Sequence, residues 1–496
     1  MGISFVGKLL IARYLGAASF GGVSLGVTTF TIASTVLVFG LDTGIARYLP
    51  RKGEDSYRRG VLLSGFQIGL TVPFVFGILM VIFAGRISTS VFGDPSIAQV
   101  FRIVGLTIPL AAFVNLSVGV IQGDQKATPK VVIQNFALPV TRFGGFGFAI
   151  ILGFGVVGIT GAYLVSYLIG AAICVYYLRV RTNLFSGPKP IYQYRKLLAF
   201  SLPLAISGIG SKIFSNADII LLGFFKQTTA VGVYSAVYPV SQLVMFGLSS
   251  FAFIFMPIFS ELHANQATNQ MMRVYQIATK WTLFVTFPAV VFIFLFPELV
   301  IKLTFGPEYM SGAPALSVLV FAFGAHALMG PNAQALTATG QTRLVMYASI
   351  GAAALNLVLN LVLIPHLSFL GAAIATTTSY ICMNALLNGL LYRQNGIHPF
   401  TTGQLAPVIV MSTVIGVFSV FFSPEIESKL LGAGILMLLI LFVYPMVVLR
   451  YGGFGETESM LLADIEERFG VDLSTIRLII TKISRSGFSD RPNQRK

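Results

Sequence analysis

Long apolar stretches separated by short polar segments recur along the whole chain. A helix needs about 20 apolar residues to cross the roughly 30 Å hydrocarbon layer of a membrane. A shorter stretch, residues 2–15, resembles the second half of a spanning helix. The pattern predicts an all-α integral membrane protein with about 14 transmembrane helices, the first of them truncated. The thirteen longer stretches are 22–41, 61–84, 101–122, 131–153, 156–178, 197–222, 232–258, 281–303, 314–338, 343–364, 369–392, 404–422 and 429–450.

The composition agrees with a membrane protein and excludes several soluble classes. Of the 496 residues, 55% are hydrophobic and only 10% are charged, whereas soluble proteins average about 25% charged residues. Such a chain has no polar coat, which excludes a cytosolic enzyme, a secreted disulfide scaffold and a disordered protein. The sequence has no Walker-type motif, no metal-ligand spacing among its four histidines and no paired carboxylates at glycosidase-like positions within one segment. We therefore expect no enzymatic activity.

The net charge of +15 follows the predicted topology. Twenty-four of the 33 Lys and Arg residues lie in alternate connections and in the segment from residue 450 onward, and four lie in the opposite connections (Arg86, Lys226, Lys302 and Lys429). Cytoplasmic loops of membrane proteins carry such an excess. The pattern predicts a multi-pass protein of the cell membrane with a cytoplasmic C-terminal tail. Nucleic-acid binding is not needed to explain the charge.

Three short motifs recur in the same order at offsets of 210 to 217 residues, which indicates two halves of six helices each. The matching pairs are 20–24 with 231–235, 123–126 with 340–343, and 161–162 with 371–372. The repeat predicts an N-lobe at 1–178, a cytoplasmic linker at 179–196, a C-lobe at 197–392, two further helices at 393–450 and a tail at 451–496. Residues 456–469 of that tail have the pattern of an amphipathic helix.

Six ionisable residues fall inside or at the ends of the apolar stretches, where a charge is expensive unless it is paired or functional. They are Lys8, Arg13, Arg102, Arg142, Lys212 and Asp218. Five of the six are cations, which favours an anionic substrate such as a phosphate or pyrophosphate head group. The alternative for Lys8, Arg13 and Arg102 is that each side chain reaches the membrane surface.

Several motifs over about residues 10–395 resemble, in their order, the polysaccharide flippases of the multidrug/oligosaccharidyl-lipid/polysaccharide exporter superfamily. The resemblance implies a V-shaped pair of six-helix lobes that opens alternately to the two sides and moves lipid-linked sugars outward. The tail is similar to that of archaeal members. The motifs are Arg13–Gly16 with Phe20-Gly21, Gly40–Asp42 with Arg47-Tyr48, Asp218 with Val231–Tyr234, Pro257–Leu262, Phe305–Tyr309, Asn356–Asn360 and Gly371–Ala373.

The resemblance also implies roles for individual residues. By position, Arg13 and Arg47 match arginines that line the cavity of peptidoglycan-precursor flippases. Asp218, Asn356, Asn360 and Thr376 match a sodium site in the second lobe. Asn360 stands where relatives have a second carboxylate, which puts sodium dependence in question. The alternative for the amides and Thr376 is ordinary hydrogen bonding between helices.

The sequence as a whole predicts a flippase for a polyprenyl- or dolichyl-(pyro)phosphate-linked sugar, acting as a monomer in cell-surface polysaccharide synthesis or protein glycosylation. Its head-group residues would be Arg13, Arg47, Arg142, Lys212 and Lys8, and its coupling ion sodium or a proton, with no other cofactor. Partners would be the bilayer, the lipid-linked glycan, and glycosyltransferases, an oligosaccharyltransferase or a polymerase. The alternatives are a cation-coupled multidrug exporter and a non-transporting membrane scaffold.

Overall fold

The computed structural model describes residues 2–50, 54–125, 127–182, 184, 187–421, 426–451 and 466. The regular structure of these residues is helical throughout. The amphipathic helix predicted at 456–469 lies outside the described residues except for Glu466. The α-helices are α1 Gly2–Val36, α2 Leu41–Tyr48, α3 Asp55–Arg86, α4 Ala98–Gly123, α5 Ala127–Val131, α6 Leu138–Ile151, α7 Gly155–Arg181, α8 Tyr194–Phe225, α9 Thr228–Gln242, α10 Phe246–Ala264, α11 Thr268–Leu295, α12 Pro297–Thr304, α13 Ala313–Met329, α14 Asn332–Ala338, α15 Thr342–Asn395, α16 Thr402–Phe421, α17 Ile426–Leu438 and α18 Tyr444–Tyr451.

The helical lengths confirm the prediction of an all-α, multi-pass membrane protein. Seven helical stretches of the described chain are long and apolar enough to cross a bilayer, and three shorter helices are equally apolar. Two of the seven contain an internal reversal or bend, so the number of crossings exceeds the number of stretches. The total of about 14 stays a prediction. The seven are Phe5–Tyr48, Asp55–Val91, Pro95–Gly123, Gly155–Arg181, Thr268–Leu295, Pro307–Met329 and Thr342–Asn395.

Helix α1 bends at Gly16, whose φ of +74° is left-handed and therefore suits glycine. The ring of Phe5 lies 5.9 Å from Phe305, and that of Phe20 lies 6.2 Å from Tyr309. The rings of Phe305 and Tyr309 are themselves only 5.8 Å apart. In a straight helix Phe5 and Phe20 would be about 22 Å apart along the axis. Residues 2–15 thus form an arm of their own, as the sequence predicts.

Helix α15 reverses at Ser368, where φ is +53° and ψ is −135°. The Nδ2 atom of Asn356 lies 3.3 Å from Oγ1 of Thr376, although the two residues are twenty positions apart. A straight helix would separate them by about 30 Å. The helix therefore consists of two arms that lie side by side, 342–367 and 369–395, in agreement with the two predicted segments there.

Contacts along the chain divide it into two compact units. Within unit 1, α3, α2 and α7 pack against α4, α6 packs against α7, and α1 packs against α4 and α8. Within unit 2, α10 packs against α11 and α14, and α11 contacts α16 and α17. The lobe boundaries inferred from the sequence repeat stay a prediction. Unit 1 is Met1–Pro239, Ile301–Ala315 and Ser349–Thr376, and unit 2 is Val240–Val300, Leu316–Ala348 and Thr377–Lys496.

Within unit 1, α1 and α9 meet through two glycines. A Cβ atom on Gly21 would lie 1.8 Å from the carbonyl oxygen of Thr228, and one on Gly232 would lie 1.9 Å from that of Ala17. Both obstacles are backbone atoms, which cannot rotate away. The two helices can touch along this line only because neither position carries a side chain.

We expect Gly232→Ala to destabilise the protein by about 1–3 kcal/mol, because the added methyl group must push α1 and α9 apart. The thermal midpoint in detergent, followed by size-exclusion chromatography after heating, measures the effect. Gly351→Ala is the matched control, since it lies exposed on α15 with nothing within 4 Å of the new Cβ. An equal midpoint for both variants would contradict the close approach.

Candidate functional site

Five polar side chains from four helical segments of unit 1 meet in a group that we name the carboxylate site. Asp218 comes from α8, Tyr234 from α9, Asn356 and Asn360 from the first arm of α15, and Thr376 from its second arm. None of the five is more than 6% exposed. Asn356 and Asn360 are one helical turn apart, so both point to the same side of their arm.

Three neighbouring side chains donate hydrogen bonds to the carboxylate of Asp218. The hydroxyl of Tyr234 donates to Oδ2 at 2.5 Å, and that of Thr376 donates to the same oxygen at 2.7 Å. The amide Nδ2 of Asn360 donates to Oδ1 at 2.6 Å. No described Lys or Arg forms an ion pair with Asp218. The carboxylate is thus held by neutral donors only, and its charge has no cationic partner among the described residues.

The two amides extend the carboxylate site and leave one acceptor unused. Nδ2 of Asn360 is also 3.0 Å from Oδ1 of Asn356, and Nδ2 of Asn356 donates to Oγ1 of Thr376 at 3.3 Å. Oδ1 of Asn360 is fully buried and has no hydrogen-bond partner among the described atoms. A buried acceptor without a donor is costly, so its presence needs a reason.

The chemistry of the carboxylate site fits a hard monovalent cation such as sodium. Such ions prefer oxygen ligands, and carboxylate, amide and hydroxyl oxygens all converge here. A half-turn of the Asn360 amide exchanges its nitrogen and oxygen, which would direct the unused oxygen toward Asp218. That arrangement places two acceptors face to face and is favourable only with a cation between them. Asp218, Asn356, Asn360 and Thr376 are the residues that would hold the ion.

The structure brings together all four residues that the family resemblance implied for an ion site. It adds Tyr234, whose hydroxyl makes a short hydrogen bond to Asp218 and lies 3.5 Å from Oγ1 of Thr376. Sequence reasoning used this tyrosine only as part of the Val231–Tyr234 motif and gave it no role. The sequence offers no signal that singles it out, because Ser235 and Tyr238 are other hydroxyl residues of the same helix.

A second polar group of unit 1, which we name the arginine site, consists of Arg142, Tyr163 and Tyr167. The guanidinium of Arg142 lies 4.6 Å from the ring centre of Tyr163 and 5.6 Å from that of Tyr167. Its Nε atom is buried without a hydrogen-bond partner. Arg142 stands nine residues before the end of α6, about 13 Å from that end. A half-buried arginine at this depth, held by aromatic faces rather than by acceptors, is suited to bind an anion.

Lys8 is on a helical arm that contacts the helix of Arg142. The backbone of Gly7 is so close to Phe143 that a Cβ atom on Gly7 would lie 2.1 Å from that ring. Lys8 itself is exposed. Lys8 directly follows Gly7, and Arg142 directly precedes Phe143. Two of the predicted head-group cations therefore lie next to the residues that form the α1–α6 contact.

Arg13 and Arg47 have other contacts. Arg13 donates from Nε to the carbonyl oxygen of Thr304 at 2.6 Å and from Nη2 to that of Leu303. Both carbonyls belong to the C-terminal end of α12, where a positive charge is favourable. The guanidinium of Arg47 lies 4.2 Å from the ring centre of Phe200 on α8. No described contact joins Arg13, Arg47 and Arg142, so a shared cationic cavity stays a prediction.

Two lysines complete the set of buried or predicted cations. Lys212 lies on α8, but its side chain is outside the described part of the chain. Lys280 was assigned from the sequence to the polar connection 259–280. It lies twelve residues inside α11 instead and is only 4% exposed. Helix α11 begins at Thr268, before the predicted apolar stretch 281–303. The polar residues that precede the stretch form the first turns of the same helix.

Comparison with known proteins shows the family. The sequence profile described as polysaccharide biosynthesis protein matches residues 1–263, and that described as lipid II flippase MurJ matches residues 217–442. The first match covers more than half of the chain. The chain belongs to the polysaccharide biosynthesis protein family, as the resemblance of its motifs implied.

Individual relatives are distant but cover nearly the whole chain. The probable low-salt glycan biosynthesis flippase Agl15 of the archaeon Haloferax volcanii is 24% identical over 462 residues, which are 92% of this chain and 94% of that protein. Stage V sporulation protein B of Bacillus subtilis is 20% identical over 493 residues, covering 93% and 89% of the two chains. Archaeal relatives are thus present, in line with the resemblance of the tail.

Two solved structures show the same exporter fold. A structure of the lipid II flippase MurJ in an inward closed conformation has a TM-score of 0.70 at 14% identity, over 90% of this chain and 95% of that one. An inward-facing multidrug resistance MATE family transporter of the MOP superfamily has a TM-score of 0.65 at 16% identity, over 77% and 92%. At such identities the likeness shows the fold alone.

We expect Tyr234→Phe to lower the stability of unit 1 by about 1–3 kcal/mol, because it removes a donor from a buried carboxylate. The thermal midpoint in detergent measures this. Tyr347→Phe is the control, since Tyr347 is 62% exposed on α15. If both variants melt together, the bond from Tyr234 to Asp218 does not stabilise the folded protein.

Proposed function

We propose that this protein carries a lipid-linked glycan, joined to its polyprenyl or dolichyl carrier through a phosphate or pyrophosphate, from the cytoplasmic to the outer leaflet of the cell membrane. The family match, the exporter fold and the name of the Haloferax relative support this function. The excess of Lys and Arg in alternate connections supports a cytoplasmic tail.

The observation that carries the proposal is Arg142. A guanidinium has five N–H donors, and the Nε donor of Arg142 is buried without a hydrogen-bond partner among the described atoms. Leaving such a group unbound at membrane depth is expensive. A phosphate oxygen pair is the natural partner, because it matches the planar fork of arginine. Tyr163 and Tyr167 hold the guanidinium in place without neutralising it.

The physical task of a flippase is to replace water around the polar part of its substrate. Sugar hydroxyls moved through hydrocarbon without partners would cost several kcal/mol per group. Polar side chains between two lobes that open alternately to each side supply partners along the path, while the prenyl chain stays in the lipid. No covalent bond is made or broken, so no catalytic residue is needed. Enzymes that build the lipid-linked glycan would act before this protein, and a polymerase or an oligosaccharyltransferase after it.

Switching between the two openings requires a ligand that binds one state more tightly than the other. We assign this role to a sodium ion at the carboxylate site. Binding of the ion would replace the donors of Asp218 by a cation held by Asp218, Asn356, Asn360 and Thr376. Because these residues lie on three helical segments, the ion changes the forces between those segments. A proton on Asp218 is the alternative coupling ion.

We expect Arg142→Gln to slow glycan translocation at least tenfold. The variant loses charge-assisted bonds to phosphate worth about 1.5–3 kcal/mol, and 1.4 kcal/mol corresponds to a factor of ten. Arg142→Lys keeps the charge but not the fork, so its rate should be intermediate. Proteoliposomes with a fluorescent polyprenyl-pyrophosphate-linked oligosaccharide, quenched from outside by a reductant, give the rate.

The control for Arg142 is Arg102→Gln, which removes an exposed arginine from α4 and should leave the rate unchanged. If the Arg142→Gln variant translocated the glycan at the wild-type rate, the proposed binding of the head group by Arg142 would be refuted. Export of a cationic dye from the same vesicles, with no glycan movement, would instead identify a drug exporter.

We expect sodium to raise the thermal midpoint of the wild-type protein and to have no such effect on Asp218→Asn, because the neutral amide cannot balance the charge of the ion. Potassium or choline at the same ionic strength is the control. A midpoint that depends on pH but not on sodium would replace sodium by a proton. No dependence on either would end the proposal of ion coupling at this site.

A further inference from the structure

A polar cavity of about 900 Å³ opens in unit 1, apart from the carboxylate and arginine sites. We name it the outer cavity, because its walls belong to connections on the side with few Lys and Arg residues. Hydroxyl groups provide much of its polar surface. Its lining includes Thr89, Asp94, Lys226, Thr229, Ser311 and Ser368.

The helices that carry the carboxylate site end or turn at the outer cavity. Phe225, the last residue of α8, and Thr228, the first of α9, both line it, as does Ser368 at the reversal of α15. The cavity is therefore built from the ends of the segments whose interiors hold the buried carboxylate.

Distances along these helices agree with one another. Asp218 lies seven residues before the end of α8, and Tyr234 lies six residues after the start of α9, each about 10 Å along the axis. Asn360 and Thr376 lie eight residues on either side of Ser368, about 12 Å away. All four segments thus place the carboxylate site about two helical turns from the helix ends and the reversal that border the outer cavity. Val233, which is 2% exposed and precedes Tyr234, lines the cavity between the two.

The size and lining of the outer cavity suit a hydrated cation. A water molecule takes about 30 Å³, so an ion with six waters needs roughly 200 Å³, well within the cavity. The hydroxyl oxygens can accept from that water or contact the ion directly. These oxygens provide polar partners for the hydrated ion from the surface to within about two helical turns of Asp218.

Two charged side chains face the outer cavity. Asp94 accepts hydrogen bonds from the hydroxyls of Thr228 at 2.8 Å and Ser96 at 2.6 Å. Burial acts to raise the pKa of Asp94, but hydrogen bonds from Ser96 and Thr228 outweigh it and lower that pKa. Asp94 is therefore ionised at neutral pH and attracts cations to the cavity.

Lys226 is the second charged side chain of the outer cavity, and its charge is opposite to that of Asp94. Its Nζ donates to the carbonyl oxygen of Pro365 at 2.8 Å, at the end of the first arm of α15. The contact joins the α8–α9 turn to the α15 reversal, so Lys226 lies between two of the segments that lead to Asp218. Because Lys226 lines the outer cavity, a cation in the cavity is repelled by this positive charge.

We propose that the outer cavity is the entrance through which the coupling cation reaches Asp218 from the outer face, and that the charge of Lys226 limits its access. The inference rests on the proposed cation at the carboxylate site. It goes further in assigning the route and the residue that controls it. Asp94 gathers cations at the mouth, and Val233 is the apolar layer that separates the cavity from the site.

The test uses full-length protein in nanodiscs with Cys174→Ala and Cys382→Ser, which removes both native thiols. Thr229→Cys is introduced in the cavity wall and modified with methanethiosulfonates of increasing size. Binding of ²²Na⁺ is read by scintillation proximity. A methyl group should leave the initial rate of binding intact, a bulky group should slow it at least tenfold, and reduction of the disulfide should restore it.

Leu152→Cys is the matched control, because Leu152 is 51% exposed beside the outer end of α6 and does not line the cavity. Its bulky adduct should leave the initial rate of binding unchanged. An unchanged initial rate with the bulky adduct of Thr229→Cys would overturn the entrance while the cation site stands. Absence of ²²Na⁺ binding by the unmodified protein would overturn both.

The role of Lys226 has its own measurement. At about 10 Å, and with an effective dielectric constant between that of a protein surface and water, removal of one positive charge should strengthen cation binding about two- to tenfold. Lys226→Gln should shift the sodium midpoint by that factor, and Lys226→Arg should not. Equal sodium midpoints for Lys226→Gln and Lys226→Arg would refute the proposal that the charge of Lys226 limits access of the cation.

Discussion

A carboxyl group cannot be buried among apolar helices without cost unless other groups replace its water. Asp218 meets this constraint with donors from three separate helical segments, those of Tyr234, Asn360 and Thr376. Each donor must reach the same two oxygens, so the carboxylate fixes the rotation and depth of α8, α9 and both arms of α15. The reversal at Ser368 follows from the same requirement, because only a turn brings Asn360 and Thr376 to one point.

Much of this fold could be predicted from the sequence, because the membrane constrains the lengths of the helices. Membrane thickness sets the length of an apolar stretch, so the stretches predict helices, and even the short arm 2–15 appears as a separate element. The family resemblance, which rests on the order of the motifs, implied four residues of the carboxylate site, Asp218, Asn356, Asn360 and Thr376. The role of Tyr234 could not be predicted, because its hydroxyl reaches Asp218 only through the rotation of α9 about its own axis. Nothing in a single apolar helix encodes that rotation.

The arginines show where sequence reasoning ends. Arg13 and Arg142 look alike in the sequence, as cations inside apolar stretches. In the structure Arg13 donates to two carbonyls at the end of α12, whereas Arg142 lies against aromatic faces and its buried Nε has no acceptor among the described atoms. The predicted head-group role of Arg13, and its alternative of a side chain at the membrane surface, both stay predictions. Which helix end is placed beside a cation is a matter of tertiary packing.

Helix α1 contacts helices of both the carboxylate site and the arginine site of unit 1. Its first arm touches α6 beside Arg142, through Gly7 and Phe143, and its second arm touches α9 two residues from Tyr234, through Gly232. Between them, at the bend, the Ala17 amide donates to Glu308 at 3.1 Å, so the second arm starts with a side-chain acceptor. Coupling between ion and substrate needs an element that contacts both and has two arrangements. Helix α1 meets the first condition by these contacts, and its bend lies at a glycine, whose missing Cβ permits both the observed positive φ and an ordinary helical φ.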